Sequence, residues 1–442
     1  MKPQKVLLFI VCVMAVLGAL CIVLPGQLSI GGKEVRWPTL AEVFEKKHSD
    51  ISIQPSDTIP ETPEEPEEPE QPDTVTVEKP KPVVIPKVEV NDSIDSRYFL
   101  RAFYDALSQA SERVVRVVHY GDSQIEEDRM SQQIREQLQS RFGGQGVGLM
   151  PLAQTIPTVT MKQELYMNGR RVNPNAGPRR YMVYGIRDMQ RRDSHYGVMG
   201  QMAVMADSLV RGSEAVQAVC VPQSEKVHYS RWRVFADSTI HYDFSGDTAY
   251  LWGRGAVYGL SQESANGVIV DNIPMRGCMG LVFTKIDAMQ LSTFYREENV
   301  KLIIMQFGGN AIPSNEKPTT ISAIVYGLRD QIRYMKRCAP NASILFIGPS
   351  DMIRMTDGEW ETYPLVPYMD RLLKKMTMEE GVAYFSLFQW MGGSGSMIRW
   401  RELGLAGEDG VHFHRSGARK AGNAVAEWML EGMDNRQWKM EN

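Results

Sequence analysis

Ser123 lies in "VVHYGDSQIEEDRM", between a run of valines and an apolar stripe of helical spacing, Met130, Ile134 and Leu138. A serine there could attack an acyl carbon if a base took its proton, a carboxylate oriented that base, and donors faced the oxygen that becomes negative. Residues further along the chain meet those needs. Asp409 and His412 share the short stretch "EDGVHFHRSG", close enough for the carboxylate to hold the imidazole Nδ1–H. Asn310 in "GGNAIP" offers a side-chain amide, and Gly277 in "IPMRGCMG" offers a backbone N–H with no side chain in the way. The Ser123 N–H, at the opening of a helix, is a third donor for the oxyanion. Each residue also has a plain structural explanation: Asp122 or Ser123 as a helix cap, Gly277 and Gly280 as a turn, Asn310 as a loop residue, His412 as an interior histidine. What favours the chemistry is their joint occurrence, in order and each after an expected strand.

The elements that must position these residues are legible as apolar runs. Val114, Val115, Val117 and Val118 read as a buried strand, and "GVIVDN", "VKLIIMQFG", "SILFIGPS" and "VAYFSLF" as four more. Helical patterns lie between them, at Ile324 to Met335 and Tyr368 to Met378, and Phe99, Leu100, Phe103 and Leu107 mark a helix ahead of the first strand. Alternation of this kind implies parallel βαβ units in a three-layer α/β domain. Ligands bind such sheets at the carboxyl ends of the strands, where the loops bearing these residues should emerge. From about Gly146 to Ala265 the character changes to short runs rich in Tyr and Val, such as "KVHYSRWRVF" and "TAYLWGRG", which read as antiparallel strands. The expected organisation is an α/β domain over 93–149 and 266–442, interrupted by a β-sandwich-like module at 150–265. That module should emerge beside the cleft, and its aromatic residues suit sugar rings as well as a β-core.

Composition narrows the partners. A net charge of −4, with no basic cluster interleaved with aromatics, excludes a nucleic-acid partner. Cys220, Cys278 and Cys338 make neither a disulfide framework nor a zinc spacing. Asp409, His412 and His414 lack the further ligands that would close a coordination sphere, so neither a metal nor a cofactor is expected. Lys2 and Lys5 precede an uncharged apolar stretch, Val6 to Leu24, which reads as an uncleaved signal anchor over 1–25 that contacts the membrane and leaves the remaining chain outside the cytoplasm. Residues 26–92 hold a juxtamembrane element, "VRWPTLAEVF", and a linker rich in Pro and Glu, "PETPEEPEEPEQPD". At roughly 3.1 Å per residue, such a spacer reaches on the order of 100 Å.

With these residues in view, the chain resembles the SGNH, or GDSL-type, hydrolase family from about Ser93 to its C-terminus. The family's GDS motif matches Gly121, Asp122 and Ser123, its oxyanion glycine Gly277, its G-x-N asparagine Gly308 to Asn310, and its D-x-x-H motif Asp409 and His412. In the glycine turn, Gly280 can be argued in place of Gly277. Gln124 stands where GDSL has Leu, and Ala311 where an Asp often follows the asparagine. The resemblance implies a flavodoxin-like three-layer α/β/α fold and ester hydrolysis through an acyl-enzyme. The stretch "GDSQIEEDRMSQQIREQLQSRFGGQGVGLMP" is similar to membrane-associated or periplasmic peptidoglycan O-acetylesterases, which also carry an inserted β-domain. This implies removal of O-acetyl groups from cell-wall or surface glycan on the periplasmic side of a bacterial inner membrane. The alternatives are an O-acetyltransferase that passes the acetyl group to a glycan hydroxyl, and a non-catalytic glycan-binding protein on the same fold.

Overall fold

Strands buried on both faces read as near-continuous apolar runs. Five such runs form the central sheet of the computed structural model: β1 (Val114–Gly121), β2 (Gly267–Pro274), β3 (Val300–Gln306), β4 (Ser343–Ile347) and β5 (Ala383–Phe385). All neighbours are parallel, in the order β2-β1-β3-β4-β5. This is the flavodoxin-like order, whose switch point lies between β1 and β3. The register brings the carboxyl ends level: Pro274, Gly121, Gln306, Ile347 and Phe385 share one rung.

Alternate side chains on these strands enter opposite layers. Val118, Tyr120, Ile303, Met305, Ile344 and Phe346 pack with the helix Ala288–Glu297, α2 (Pro318–Cys338) and α3 (Val366–Glu379). Val115, Val117, Leu302, Ile304, Leu345 and Ile347 pack with the helix Arg101–Leu107, α1 (Ser131–Phe142) and α4 (Arg415–Asp434). The expected α/β/α layering is present. Between β4 and α3 the chain adds a small hairpin, Ile353–Thr356 with Glu359–Thr362, for which the sequence reading had no strands.

The structure describes residues 27–30, 33–36, 85–90, 94–152, 156–167, 170–172, 182–183, 203–209, 216–224, 227–236 and 238–435. The chain divides into two units, Met1–Lys79 and Pro80–Asn442. In the first, the described residues form an antiparallel pair, Gln27–Ile30 with Lys33–Arg36. The expected anchor, Val6 to Leu24, and most of the Pro- and Glu-rich linker lie outside the described residues. Among the described residues no helix is long and apolar enough to cross a membrane.

The β-module is organised on one long strand, Thr248–Glu263. Its first half pairs with Ile240–Ser245 and with Val216 to Val219; its second half pairs with Arg231–Ala236 and with Gly146–Met150. Gly146–Met150, which straddles the expected boundary at 149/150, is thus a strand of the module's sheet. It also touches β2, where the Leu149 N–H donates to Asp271 Oδ1 at 2.8 Å.

A buried charge cluster fastens the module to the parallel sheet. Arg116 on β1 places Nη1 2.7 Å from Asp271 Oδ1 of β2 and Nη2 2.5 Å from Glu263 Oε2, at the end of the long module strand. Glu298, just beyond the helix Ala288–Glu297, lies 3.4 Å from Arg116 Nη2 and also pairs with Arg233 of the module. Burial opposes the charge on Glu263, but Arg116, Arg233 and the Ser261 hydroxyl outweigh it and bring its carboxyl down to about 2. Removing one partner from such a cluster leaves the others desolvated without compensation. Glu263→Gln is therefore expected to destabilise the protein by about 3 kcal/mol or more. The check is the urea midpoint followed by tryptophan fluorescence; a midpoint equal to that of the wild type would show that the cluster does not fasten the two parts.

Candidate active site

Beyond the carboxyl end of β1 the chain enters a short 3-10 turn, Ser123–Asp128. Asp122 is its cap, accepting the Gln124 N–H at 2.9 Å on Oδ1. The capping role thus falls to Asp122, and the Ser123 hydroxyl is available for another partner. That partner is His412, whose Nε2 lies 2.8 Å from Ser123 Oγ. His412 Nδ1 is in turn 2.6 Å from Asp409 Oδ2, and Asp409 Oδ1 accepts the N–H groups of Val411 and His412, both at 3.0 Å. Partial burial raises the Asp409 carboxyl, but the His412 imidazole and those two N–H groups outweigh it and hold it below the usual range. An ionised Asp409 fixes the proton on Nδ1, which leaves the Nε2 lone pair facing the Ser123 O–H.

Asn310 arrives from the neighbouring strand, in a 3-10 turn just after β3. Its Nδ2 donates to Asp122 Oδ2 at 2.9 Å and to the Cys278 carbonyl at 3.3 Å. Asp122 therefore joins the loops that follow β1 and β3. Burial pushes its carboxyl up to about 6, against the Gln124 N–H, the nearby His412 and the Asn310 amide, which all favour the carboxylate.

Gly277 sits differently from the other expected donors. It occupies the third position of a turn closed by the Cys278 N–H on the Met275 carbonyl at 3.0 Å, and its φ of 70° is one that glycine adopts without steric cost. It is not among the residues that line the cleft around Ser123. Gly280 is a glycine for another reason: a Cβ there would lie 2.8 Å from Phe307. The structure thus brings together Ser123, Asn310, Asp409 and His412, and explains both glycines by backbone needs.

Two residues to which the short motifs assign no role hold together the loops that carry Ser123 and His412. Gln124, the departure from GDSL, donates from Nε2 to the Val411 carbonyl at 2.7 Å and accepts the Phe413 N–H at 3.5 Å, so it brackets His412. Arg129 donates to the Ser123 carbonyl and to the Phe413 carbonyl, each at 2.8 Å. Arg276 pairs with the buried Glu126. His414 Nδ1 meets the Gly404 carbonyl at 3.2 Å and does not join His412. His119 is buried between Ser131 and Gln306, and burial drives its imidazole down to about 3, so it stays neutral. The cleft itself has a volume of about 240 Å³, with Ser123, Asn310, His412, Phe307, Pro349 and Met352 in its walls.

Compared by sequence, the chain matches no family model and no curated protein. Compared by structure, it is similar to a peptidoglycan O-acetylesterase at 18% identity and a TM-score of 0.58, over 79% of this chain and 99% of that one. Weaker overlaps are with Est24, a carbohydrate acetylesterase from Sinorhizobium meliloti (15% identity, TM-score 0.28, 37% of this chain and 79% of that one), and with the periplasmic domain of a lipopolysaccharide acetyltransferase from Salmonella ser. Paratyphi A (12%, 0.27, 37% and 73%). At 18% identity the first likeness is one of fold, over nearly the whole length of that chain.

Proposed function

We propose that the protein is a membrane-anchored, extracytoplasmic serine esterase that removes O-acetyl groups from a cell-wall or surface glycan such as peptidoglycan. The observation that carries this reading is the unbroken hydrogen-bond chain from Asp409 through His412 to Ser123. Ser123 Oγ attacks the acetyl carbonyl carbon as its proton passes to His412 Nε2. The oxyanion takes the Ser123 N–H and the Asn310 amide, whose longer bond, to the Cys278 carbonyl, is the one it can exchange. Gly277 N–H is the remaining candidate donor. Collapse of the intermediate breaks the ester bond, His412 returns the proton to the departing sugar hydroxyl, and the acetyl group stays on Ser123. Water, activated by the same His412, then releases acetate.

Transfer to a second sugar hydroxyl would use these same residues, and what separates the outcomes is access of water. The side chains of His412 and Asp409 are 43% and 50% exposed, which supports hydrolysis. A binding protein has no need of the ordered triad. The likeness to a peptidoglycan O-acetylesterase supports an acetylated glycan as substrate, and the apolar stretch Val6 to Leu24 supports the membrane location.

The direct test incubates the full-length protein with O-acetylated peptidoglycan and measures released acetate, with and without an added glycan acceptor. Acetate release that does not depend on the acceptor is expected; acceptor-dependent transfer would replace the esterase with a transferase. Ser123→Ala and His412→Ala should abolish the release, and Ser123→Ala should also abolish labelling by a fluorophosphonate. Retained turnover in Ser123→Ala would remove it as the nucleophile.

Asn310→Ala should lower kcat by about a hundredfold with little change in KM, because an oxyanion donor acts mainly in the transition state. Unchanged turnover would reduce Asn310 to a loop-forming role. Gln124→Leu keeps the bulk of the side chain but removes both bonds to the loop around His412, and a loss of about tenfold in kcat/KM for a small acetyl ester is expected. Wild-type kinetics in that variant would show that Gln124 does not hold the base.

A further inference from the structure

We infer that the β-module is part of the catalytic apparatus, with Thr160 a positioning residue that holds the turn bearing Ser123 in its working shape. The inference rests on Ser123 being the nucleophile.

The turn Ser123–Asp128 is not a regular helix opening. Glu127 and Asp128 each have a φ of 62°, two successive non-glycine residues in the left-handed region. Side chains crowd the backbone there, and such a conformation persists only where the surroundings over-determine it. Three fastenings do so. The Glu127 carbonyl accepts the Val159 N–H at 2.9 Å. The Asp128 carboxylate accepts the Thr160 hydroxyl at 2.7 Å, and it takes two bonds from Arg135 of α1, at 2.6 and 3.0 Å.

Two of these three come from the module. Val159 and Thr160 immediately precede its strand Met161–Met167, and the Thr160 carbonyl is itself held by the Gln223 N–H at 2.9 Å. Thr160, Asp128 and Arg135 are all buried, so water does not replace a bond lost among them.

The remainder of the segment leads directly to the chemistry. Next to Asp128 is Arg129, which grips the Ser123 carbonyl and the loop after His412. A shift at Asp128 therefore moves the nucleophile relative to its base, and proton transfer between them tolerates little displacement. The module reaches the reaction through the protein, whatever it does for substrate.

The test uses the full-length protein and p-nitrophenyl acetate, a substrate too small to need a polymer-binding surface. Thr160→Val keeps the side-chain shape and removes the hydroxyl; kcat should fall about tenfold with KM unchanged, and fluorophosphonate labelling should slow in parallel. Thr160→Ser, which retains the hydroxyl, should restore both. Ser123→Ala is measured alongside: turnover in that variant defeats the esterase reading itself. If Ser123→Ala is inactive while Thr160→Val turns over at the wild-type rate, the positioning role is overturned, even where Tm has dropped. Should Thr160→Val not fold, Asp128→Asn carries the same test, since asparagine accepts a left-handed backbone. Its kcat should fall at constant KM, and an unchanged kcat overturns the inference.

Discussion

Five parallel strands that end on one rung are the constraint from which the site follows. Because Gly121 is level with Pro274 on one side and Gln306 on the other, the chain leaves β1, β2 and β3 at the same height. The residues that follow, Asp122 and Ser123, Met275 to Gly280, and Gly308 to Asn310, meet over the edge of the sheet without any long loop. A one-residue slip of β3 against β1 would turn its buried side chains to the other layer and carry Asn310 away from Asp122. The site is therefore as well fixed as the core, because the core sets the register.

Above that edge, polar side chains supply the precision that backbone geometry does not. Asp122 is buried at the cost of a raised carboxyl, and in return it both caps the turn and orients Asn310. Gln124 and Arg129 tie the turn to the His412 loop, and Asp128 ties it to α1 and the module. Within eight residues, Gly121 to Asp128, every carboxylate has a partner from another element: Asn310 for Asp122, Arg276 for Glu126, Arg415 for Glu127, Arg135 for Asp128.

How much of this is legible in the sequence depends on whether a residue's role is set locally or by a distant partner. The five strands are readable because burial on both faces demands near-continuous apolar runs, Ser123 and Asn310 because they fall in short motifs just past two of those runs, and Asp409 and His412 because they share one short loop ahead of the last helix. Asp409 and His412 even form their bond within one loop. Gln124, Arg129 and Thr160 carry no such mark, since any polar residue that reached the same partners would do, and those partners are far away in the chain. The left-handed backbone at Glu127 and Asp128 is also hidden: no glycine announces it, because buried contacts hold it. Gly277 shows the opposite case, a motif position whose glycine is accounted for by the turn it makes.

The insertion of the module between β1 and β2 has a consequence for how the chain acquires its fold. These two strands are neighbours along their whole length, yet Arg116 and Asp271, which bond across them, are 155 positions apart in sequence. Closing so long an excursion by an unstructured chain costs entropy before any contact repays it, and non-local pairings of this kind slow folding. A module already folded on its long strand shortens the excursion, because Gly146–Met150 and Thr248–Glu263, at its two ends, are themselves paired. β2 is thus the strand whose docking waits on the module, and until it docks β1 presents an open edge of valines, the surface through which a partly folded chain would associate with its neighbours.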